Sequence, residues 1–391
     1  MAMSPGGSAL LYRLLAGYPT ERLQIIEGNI SPPDPPIRIP AVAYHRLGVG
    51  SYRILHTRLA RPYAALLHLT APGRLKRLHG LVEAYRPQAV LTVIHGYSWL
   101  TAAKFAAKNR LPLHVIVHDD WPNVNMLPGY FQSRVDRDFG RVYRQASERY
   151  CVSPYMAEEY RTRYGVDGKV VYPSRPPDSN PFEGPPARLA HPGKGITVVF
   201  AGSLHVPDYL RMLSRLATAL RACNGSLQIH APPARQLSER FEAFKDVVDL
   251  LPLIPESRLV GQLRERADVL FLPMTFEENS RTHMRTSFPS KLTEYTAAGV
   301  PILIWGPPYC SAVRWARENP GVAEVLDEND VEQLANRLRR LASDADYRIR
   351  LGGNALRIGR QYFSHAAAAA CFYRGITRSP KIQPTSGRPS H

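Results

Sequence analysis

Apolar and polar positions fall along this chain in two kinds of block. Short unbroken apolar runs, bounded by turn residues, alternate with longer stretches in which apolar residues return every three or four positions. The first kind reads as strands covered on both faces of a parallel sheet, the second as amphipathic helices. The second half has the cleaner ladder: ITVVFAG, SLQIHA, VVDLLP, DVLFLP, VPILIW and VAEVL give six strands, with helices such as DYLRMLSRLATALRA, ESRLVGQLRERA and VEQLANRLRRLAS between them. The first half follows with RLQIIEG, AVLTVIH, LPLHVIVH and RYCVS, spaced by helices such as WLTAAKFAAKN and PYMAEEYRTRYG. Repeated βα alternation predicts an α/β protein made of two doubly wound, Rossmann-like domains.

The segment SRPPDSNPFEGPPARLAHPGKG, Ser174 to Gly195, is dense in proline and glycine and has no periodicity, so it reads as a linker. The expected organisation is a first domain over residues 1–173, a linker over 174–195, and a second domain over 196–375 whose last helix packs back on the first. Residues 376–391 form a disordered tail. The opening PGGSALLYRLLAGYP reads as a glycine loop leading into a helix. A Rossmann-like domain supplies a strand before such a loop, yet only a few residues precede Gly6. Either the first strand lies outside this chain or the domain starts differently.

The stretch SFPSKLTEYTAAGVPILIW carries the most chemistry. Leu292, Tyr295 and Ala298 share one helical face, Gly299 suits a left-handed C′ position, and Pro301 stops the helix ahead of an apolar strand. With ADVLFLPM upstream this is a βαβ unit, whose helix begins at the carboxyl ends of the strands, where ligands bind. Ser290 and Lys291 lie in its first turn. A cation there opposes the helix dipole unless an anion such as a phosphate sits between the two. Glu294, one turn on, is placed to accept hydrogen bonds from vicinal hydroxyls. A solvated Lys and Glu on a surface helix is the competing reading.

Composition narrows the choices. Net charge is +17 and the isoelectric point is near 9.9, which suits an anionic partner. No apolar run approaches the roughly 18 to 20 residues of a membrane span, and no leader-like pattern opens the chain, so a cytoplasmic protein is expected. The densest basic run, Arg58 to Arg86, groups Arg74, Lys76, Arg77 and His79 among leucines. It reads either as a solvated helix edge or as a patch for an anionic membrane surface at the inner face. The four cysteines, Cys151, Cys223, Cys310 and Cys371, have neither disulfide-framework nor zinc-site spacing. Cysteines and histidines show no zinc-type paired spacing, and no metal and no cofactor are expected.

FPSKLTEYTAAGVPIL, with the second-half opener VVFAGSL, resembles the donor-site region of family 4-like glycosyltransferases of the GT-B fold, in which two Rossmann-like domains face each other across a cleft. The resemblance implies that Glu294 holds the ribose of a nucleotide-sugar, and that Ser290 and Lys291 lie against its diphosphate. It likewise implies that Gly202 and Ser203 border the donor, that the Gly6–Gly7 loop faces the diphosphate, and that His118 lies by the donor sugar. Two departures stand out: the position eight residues before Glu294 is Thr286 where the family has a glutamate, and Ser203 stands where it has an arginine. Arg281 or Arg285 would then assist at the diphosphate, and Glu277 or Glu278 would replace the glutamate.

In the first half, His118, Asp119 and Asp120 close the strand LPLHVIV, where the catalytic residues of α/β sheets are found. Either aspartate suits a base for an acceptor hydroxyl, or a hydroxyl-binding group; an Asx-type turn is the plainer alternative. His95 also closes a strand and reads as a loop histidine or an acceptor contact. The preferred function is sugar transfer from a nucleotide-sugar to a glycan or lipid-linked acceptor, in bacterial surface polysaccharide synthesis. A nucleotide-sugar 2-epimerase of the same architecture and a basic nucleic-acid-binding protein are the alternatives. The last lacks aromatic-and-basic motifs, so nucleic acid is not an expected partner.

Overall fold

The computed structural model describes residues 7–28, 38–177, 182–191, 195–202, 204, 207–233 and 235–376. The chain divides into two compact units: residues 1–171 with 368–391, and residues 172–367. Gly6, Ser203 and residues 377–391 lie outside the described residues. No described helix is long and apolar enough to cross a membrane.

The first unit contains β1 (Gln24–Glu27), β2 (Ala43–Arg46), β3 (Val90–Val93), β4 (Leu113–Val117), β5 (Glu148–Cys151) and β6 (Lys169–Val170). They form two separate parallel sheets, β1-β2 and β3-β4-β5-β6. The apolar pattern does not announce β2, whose residues AYHR are half-buried or exposed. By contrast β4 is buried along its whole length, as its unbroken run LHVIV predicts. Helix Trp99–Lys108 joins β3 to β4 and buries Trp99, Leu100, Ala103, Phe105 and Ala106.

Two further helices lock together through aromatic rings four residues apart on each. Phe139 and Tyr143 of helix Gln132–Gln145 meet Tyr160 and Tyr164 of helix Pro154–Tyr164, and every ring pair in the cluster has its centroids between 5.2 and 5.9 Å apart. Such pairs add about 0.5–1.5 kcal/mol each beyond the area they bury. Ser153 caps the second of these helices by accepting from Met156 N at 3.1 Å. Helix His365–Ile376 is fastened to the first unit by Tyr150 Oη donating to Phe372 O (3.0 Å) and Tyr373 Oη donating to Leu14 O (2.6 Å).

The second unit has one six-stranded parallel sheet: β7 (Thr197–Ala201), β8 (Ser226–His230), β9 (Val248–Leu251), β10 (Val269–Pro273), β11 (Ile302–Trp305) and β12 (Glu324–Leu326). Its order is β12-β11-β10-β7-β8-β9, so the first strand in the chain lies in the middle and the order reverses between β7 and β10. That is the switch point at which doubly wound sheets bind ligands, beyond the carboxyl ends of the strands. Phe200, Phe271 and Trp305 from the sheet pack with Leu213, Leu216 and Leu338 from helices in a buried core.

The described residues of the proline-rich segment are bonded to the second unit at several points. Arg175 N donates to Phe363 O (3.0 Å), Arg264 reaches Gly184 O (3.0 Å), and Arg348 reaches Leu189 O (2.9 Å). Proline and glycine removed the periodicity without removing the tertiary contacts, which run through backbone carbonyls that any sequence supplies.

Candidate functional site

In the second unit the helix Lys291–Ala298 opens at Ser290 and ends at Gly299. Gly299 has φ 64° and ψ 28°, the left-handed conformation its position requires. Tyr295 ties this helix to the sheet: its hydroxyl accepts from Ala201 N at 3.2 Å and lies 3.4 Å from Phe271 O. The helix start is thereby fixed beside the end of β7, at the switch point.

Lys291 does not project into solvent, as a charged residue in the first turn of a surface helix would. Its side chain turns back over the sheet, with Nζ 5.2 Å from the centroid of Phe200. It lies so close to Gly202 that a Cβ there would stand 2.5 Å from Lys291 Cε and 2.9 Å from Nζ. Gly202, at φ 138°, is therefore glycine for two reasons, its backbone conformation and the approach of the lysine. Desolvation lowers the Lys291 pKa to about 8, against the opposing pull of Glu294. A desolvated ammonium against a glycine backbone, at the mouth of a parallel sheet, is a favourable place for an anion.

Glu294 is half-buried, and the Thr293 hydroxyl donates to it. Ser290 contributes its carbonyl, which accepts from the Thr293 hydroxyl at 2.7 Å, and its side chain makes no cap bond. Arg175 is a charge that sequence reasoning missed. It is buried against the same helix, donating to Thr293 O (3.3 Å) and Thr296 Oγ1 (3.1 Å). Burial holds its pKa down to about 10, with Glu294 pulling the other way, so it stays protonated at neutral pH. No signal in the proline-rich segment marked it.

Thr286 is buried and its hydroxyl donates back to Thr282 O at 2.9 Å. Glu278 pairs with Arg281 at 3.2 Å, and Arg281 also stacks 4.2 Å over Tyr309. Glu277 pairs with Arg211. Arg285 is exposed at the end of its short helix.

In the first unit, β3 and β4 deliver three groups to one place. His118 Nε2 is 3.1 Å from Asp119 Oδ2, His95 Nδ1 is 3.8 Å from the same oxygen, and the two imidazoles stack with centroids 5.0 Å apart. His95 is pushed below the usual imidazole pKa by desolvation and by His118, against the pull of Asp119. The ligand-type atoms of the trio lie within 4.8 Å of one another, so His95, His118 and Asp119 have the donor set of a divalent-cation site. Sequence spacing could not show this, because the residues come from the ends of neighbouring strands rather than from one motif.

Asp120 departs from the catalytic set. Its carboxylate is fully buried and bound by Arg163 (3.1 and 3.2 Å), Tyr160 Oη (3.1 Å) and Asn123 Nδ2 (2.6 Å). It anchors helix Pro154–Tyr164 and is closed to an acceptor. Removing one partner of a buried ion pair costs about 3–5 kcal/mol, so Asp120→Asn should lower stability to urea by that order while nucleotide affinity stays unchanged. Wild-type urea stability in this variant would return Asp120 to the list of reactive groups.

Of the basic cluster, Arg74 is buried, with Nε donating to Thr101 Oγ1 (3.0 Å) and Nη2 to Tyr97 O (2.8 Å). It braces the first unit and cannot meet a membrane; Lys76, Arg77 and His79 are exposed. A cavity of about 820 Å³ also lies in this unit, walled by β1, β3 and the helix Gly7–Leu15, with His95 and His118 at its rim.

Residues 14–174 match the glycosyl transferase 4-like domain. Among solved structures, sucrose-phosphate synthase from Thermosynechococcus elongatus is similar at 17% identity and a TM-score of 0.67, covering 95% of this chain and 94% of that one. HepE from Anabaena, in complex with UDP, is similar at 15% identity and a TM-score of 0.67, covering 96% and 98%. The lipopolysaccharide outer core galactosyltransferase WaaB, in its apo form, is similar at 16% identity and a TM-score of 0.56, covering 86% and 84%. No curated protein matches by sequence. The chain has the fold of the GT-B glycosyltransferases, mixed α/β with two Rossmann-like units.

Proposed function

We propose that this protein is a glycosyltransferase that takes its sugar from a nucleotide-sugar, with UDP as the leaving group to test first. The observation that carries the reading is Lys291, desolvated and laid against Gly202 at the switch point of the second unit, with Glu294 one helical turn on. A diphosphate needs a cation and free backbone amides at a water-poor sheet end, and a ribose needs a carboxylate within reach of its diol. Ser290, Lys291, Glu294 and Gly202 supply that set. Similarity to HepE, which binds UDP, and to the galactosyltransferase WaaB points the same way.

His118 and Asp119 of the first unit hold the hydroxyl that receives or carries the sugar. The acceptor is a glycan or a lipid-linked sugar, and the setting is bacterial surface polysaccharide assembly. An acceptor at an anionic surface rests on Lys76, Arg77 and His79 alone. Catalysis comes from orientation and from neutralising the departing diphosphate, without a metal.

One experiment tests the set. Purified protein is screened by thermal shift against UDP, GDP and their sugar conjugates, and the best donor is then incubated with candidate acceptors, with and without EDTA. Acceptor-dependent release of the nucleotide, unaffected by EDTA, is expected. Free sugar product without any acceptor would favour an epimerase-type hydrolysis. Loss of activity in EDTA, restored by Zn²⁺ or Mn²⁺, would give the His95–His118–Asp119 trio a metal and end the metal-independent reading.

A further inference from the structure

His95, His118 and Asp119 meet because β3 and β4 are parallel neighbours whose carboxyl ends lie side by side. The trio is open to small ions. The side chains of His95, Asp119 and His118 are 47%, 32% and 15% exposed, and both imidazoles line the rim of the 820 Å³ cavity. His95 stands on a tight turn: its N donates to Val93 O at 2.9 Å, and Gly96 follows at φ 69°. The backbone therefore fixes where this histidine sits, while its half-exposed ring can rotate.

A tetrahedral cation with bonds of about 2.0–2.1 Å holds its ligand atoms roughly 3.3 Å apart. In the trio, Asp119 Oδ2 is 3.1 Å from His118 Nε2 and 3.8 Å from His95 Nδ1, and the three ligand atoms lie within 4.8 Å of one another. A turn of the His95 ring closes the difference. Two imidazoles and one carboxylate suit zinc and its first-row neighbours; magnesium and calcium need more oxygen ligands than one carboxylate supplies. His118 Nδ1 is buried and has no hydrogen-bond partner among the described residues. A histidine in a permanent metal centre passes its second N–H to a carboxylate or carbonyl, and losing that partner weakens binding by about ten- to a hundredfold. When a cation takes Nε2, the ring proton sits on Nδ1, where nothing accepts it. Occupation is thus reversible and set by the supply of the cation.

We propose that His95, His118 and Asp119 form a reversible site for Zn²⁺ or a neighbouring first-row divalent cation, and that its occupation shuts off sugar transfer. The cation takes His118 Nε2 and Asp119 Oδ2, with His95 Nδ1 as the third ligand and a water as the fourth. His118 and Asp119 are the groups proposed to hold the reacting hydroxyl. With their lone pairs given to the cation, they can no longer take up its proton. The metal-free trio is then the working form, in agreement with transfer that needs no metal. The binding rests on the geometry alone, whereas the inhibition rests on the transferase reading and its hydroxyl site.

Binding is tested first, on tag-free protein without nucleotide or acceptor. Calorimetry should show one Zn²⁺ site and no Mg²⁺ binding. Co²⁺ should give the visible bands of nitrogen and oxygen coordination without a thiolate charge-transfer band, which separates the trio from the free thiols Cys223 and Cys371. His95→Ala and His95→Gln should each weaken Zn²⁺ binding by at least about tenfold, and Zn²⁺ should raise the Tm of the wild type but not of either variant. His56→Ala, at an exposed histidine elsewhere, should bind as the wild type does. No Zn²⁺ site in the wild type, a thiolate band, or unchanged affinity in both His95 variants would overturn the proposal. Activity is tested second, with donor, acceptor and buffered free Zn²⁺. Inhibition that EDTA reverses, and that needs more Zn²⁺ in the His95 variants, is expected. Activation, or binding at the trio with no effect on turnover, would overturn the inhibitory role. Zn²⁺ binding in a protein that transfers sugar from no donor would sink that role together with the transferase reading, while the metal site stands.

Discussion

Lys291→Met should weaken UDP binding by about ten- to a hundredfold while the protein still folds, since methionine keeps the packing over Phe200 and removes only the charge. A charge-assisted contact contributes roughly 1.5–3 kcal/mol, which corresponds to that range. Glu294→Gln should lose less, and the loss should vanish when UDP is replaced by inorganic pyrophosphate, which lacks the ribose that Glu294 is proposed to hold. The lysine also sets a pH dependence. Its pKa is lowered from the usual 10.5 to about 8, so the free protein sheds this proton above pH 8. Bound diphosphate retains the proton, and UDP affinity should therefore fall by about tenfold per pH unit above 8. For stability the sign is opposite: burial penalises the charged form, so the cost is present below pH 8 and is relieved as pH rises toward 10.5. Calorimetric UDP titration at pH 7, 8 and 9 checks both the variant and the slope. Identical affinities for wild type and Lys291→Met would remove the diphosphate from this helix.

Asp119→Asn and His118→Ala should each reduce kcat by about a hundredfold or more, the effect expected for a group that holds or moves a proton at the reacting hydroxyl. Both residues sit at the carboxyl end of β4, with His118 Nε2 facing the Asp119 carboxylate at 3.1 Å. UDP affinity should be preserved in both variants, since the proposed nucleotide contacts lie in the second unit. The double variant should be little worse than either single one, because the pair acts as a unit. Near-normal kcat in Asp119→Asn would move the reacting hydroxyl away from this strand end.

Much of this protein follows from the sequence by itself, for a local reason. Unbroken apolar runs must be covered on both faces, glycine at 299 admits a left-handed residue, and proline at 301 ends a helix. These constraints act within a few residues, so the six strands of the second unit and the helix Lys291–Ala298 are readable in the chain. What only the tertiary structure decided depends on side chains that meet across long separations. Asp120 reads like Asp119 in sequence, yet Arg163, 43 residues away, takes its carboxylate into a buried ion pair. Arg74 reads as one of four surface cations, yet Thr101 and Tyr97 hold it inside. Lys291 reads as solvent-facing, and the bare backbone of Gly202 lets it fold back over the sheet instead. His95, His118 and Asp119 carry no motif and converge because β3 and β4 are neighbours in register. Periodicity reports which face of an element is covered; it does not report which distant partner covers it, and charge placement is decided by that partner.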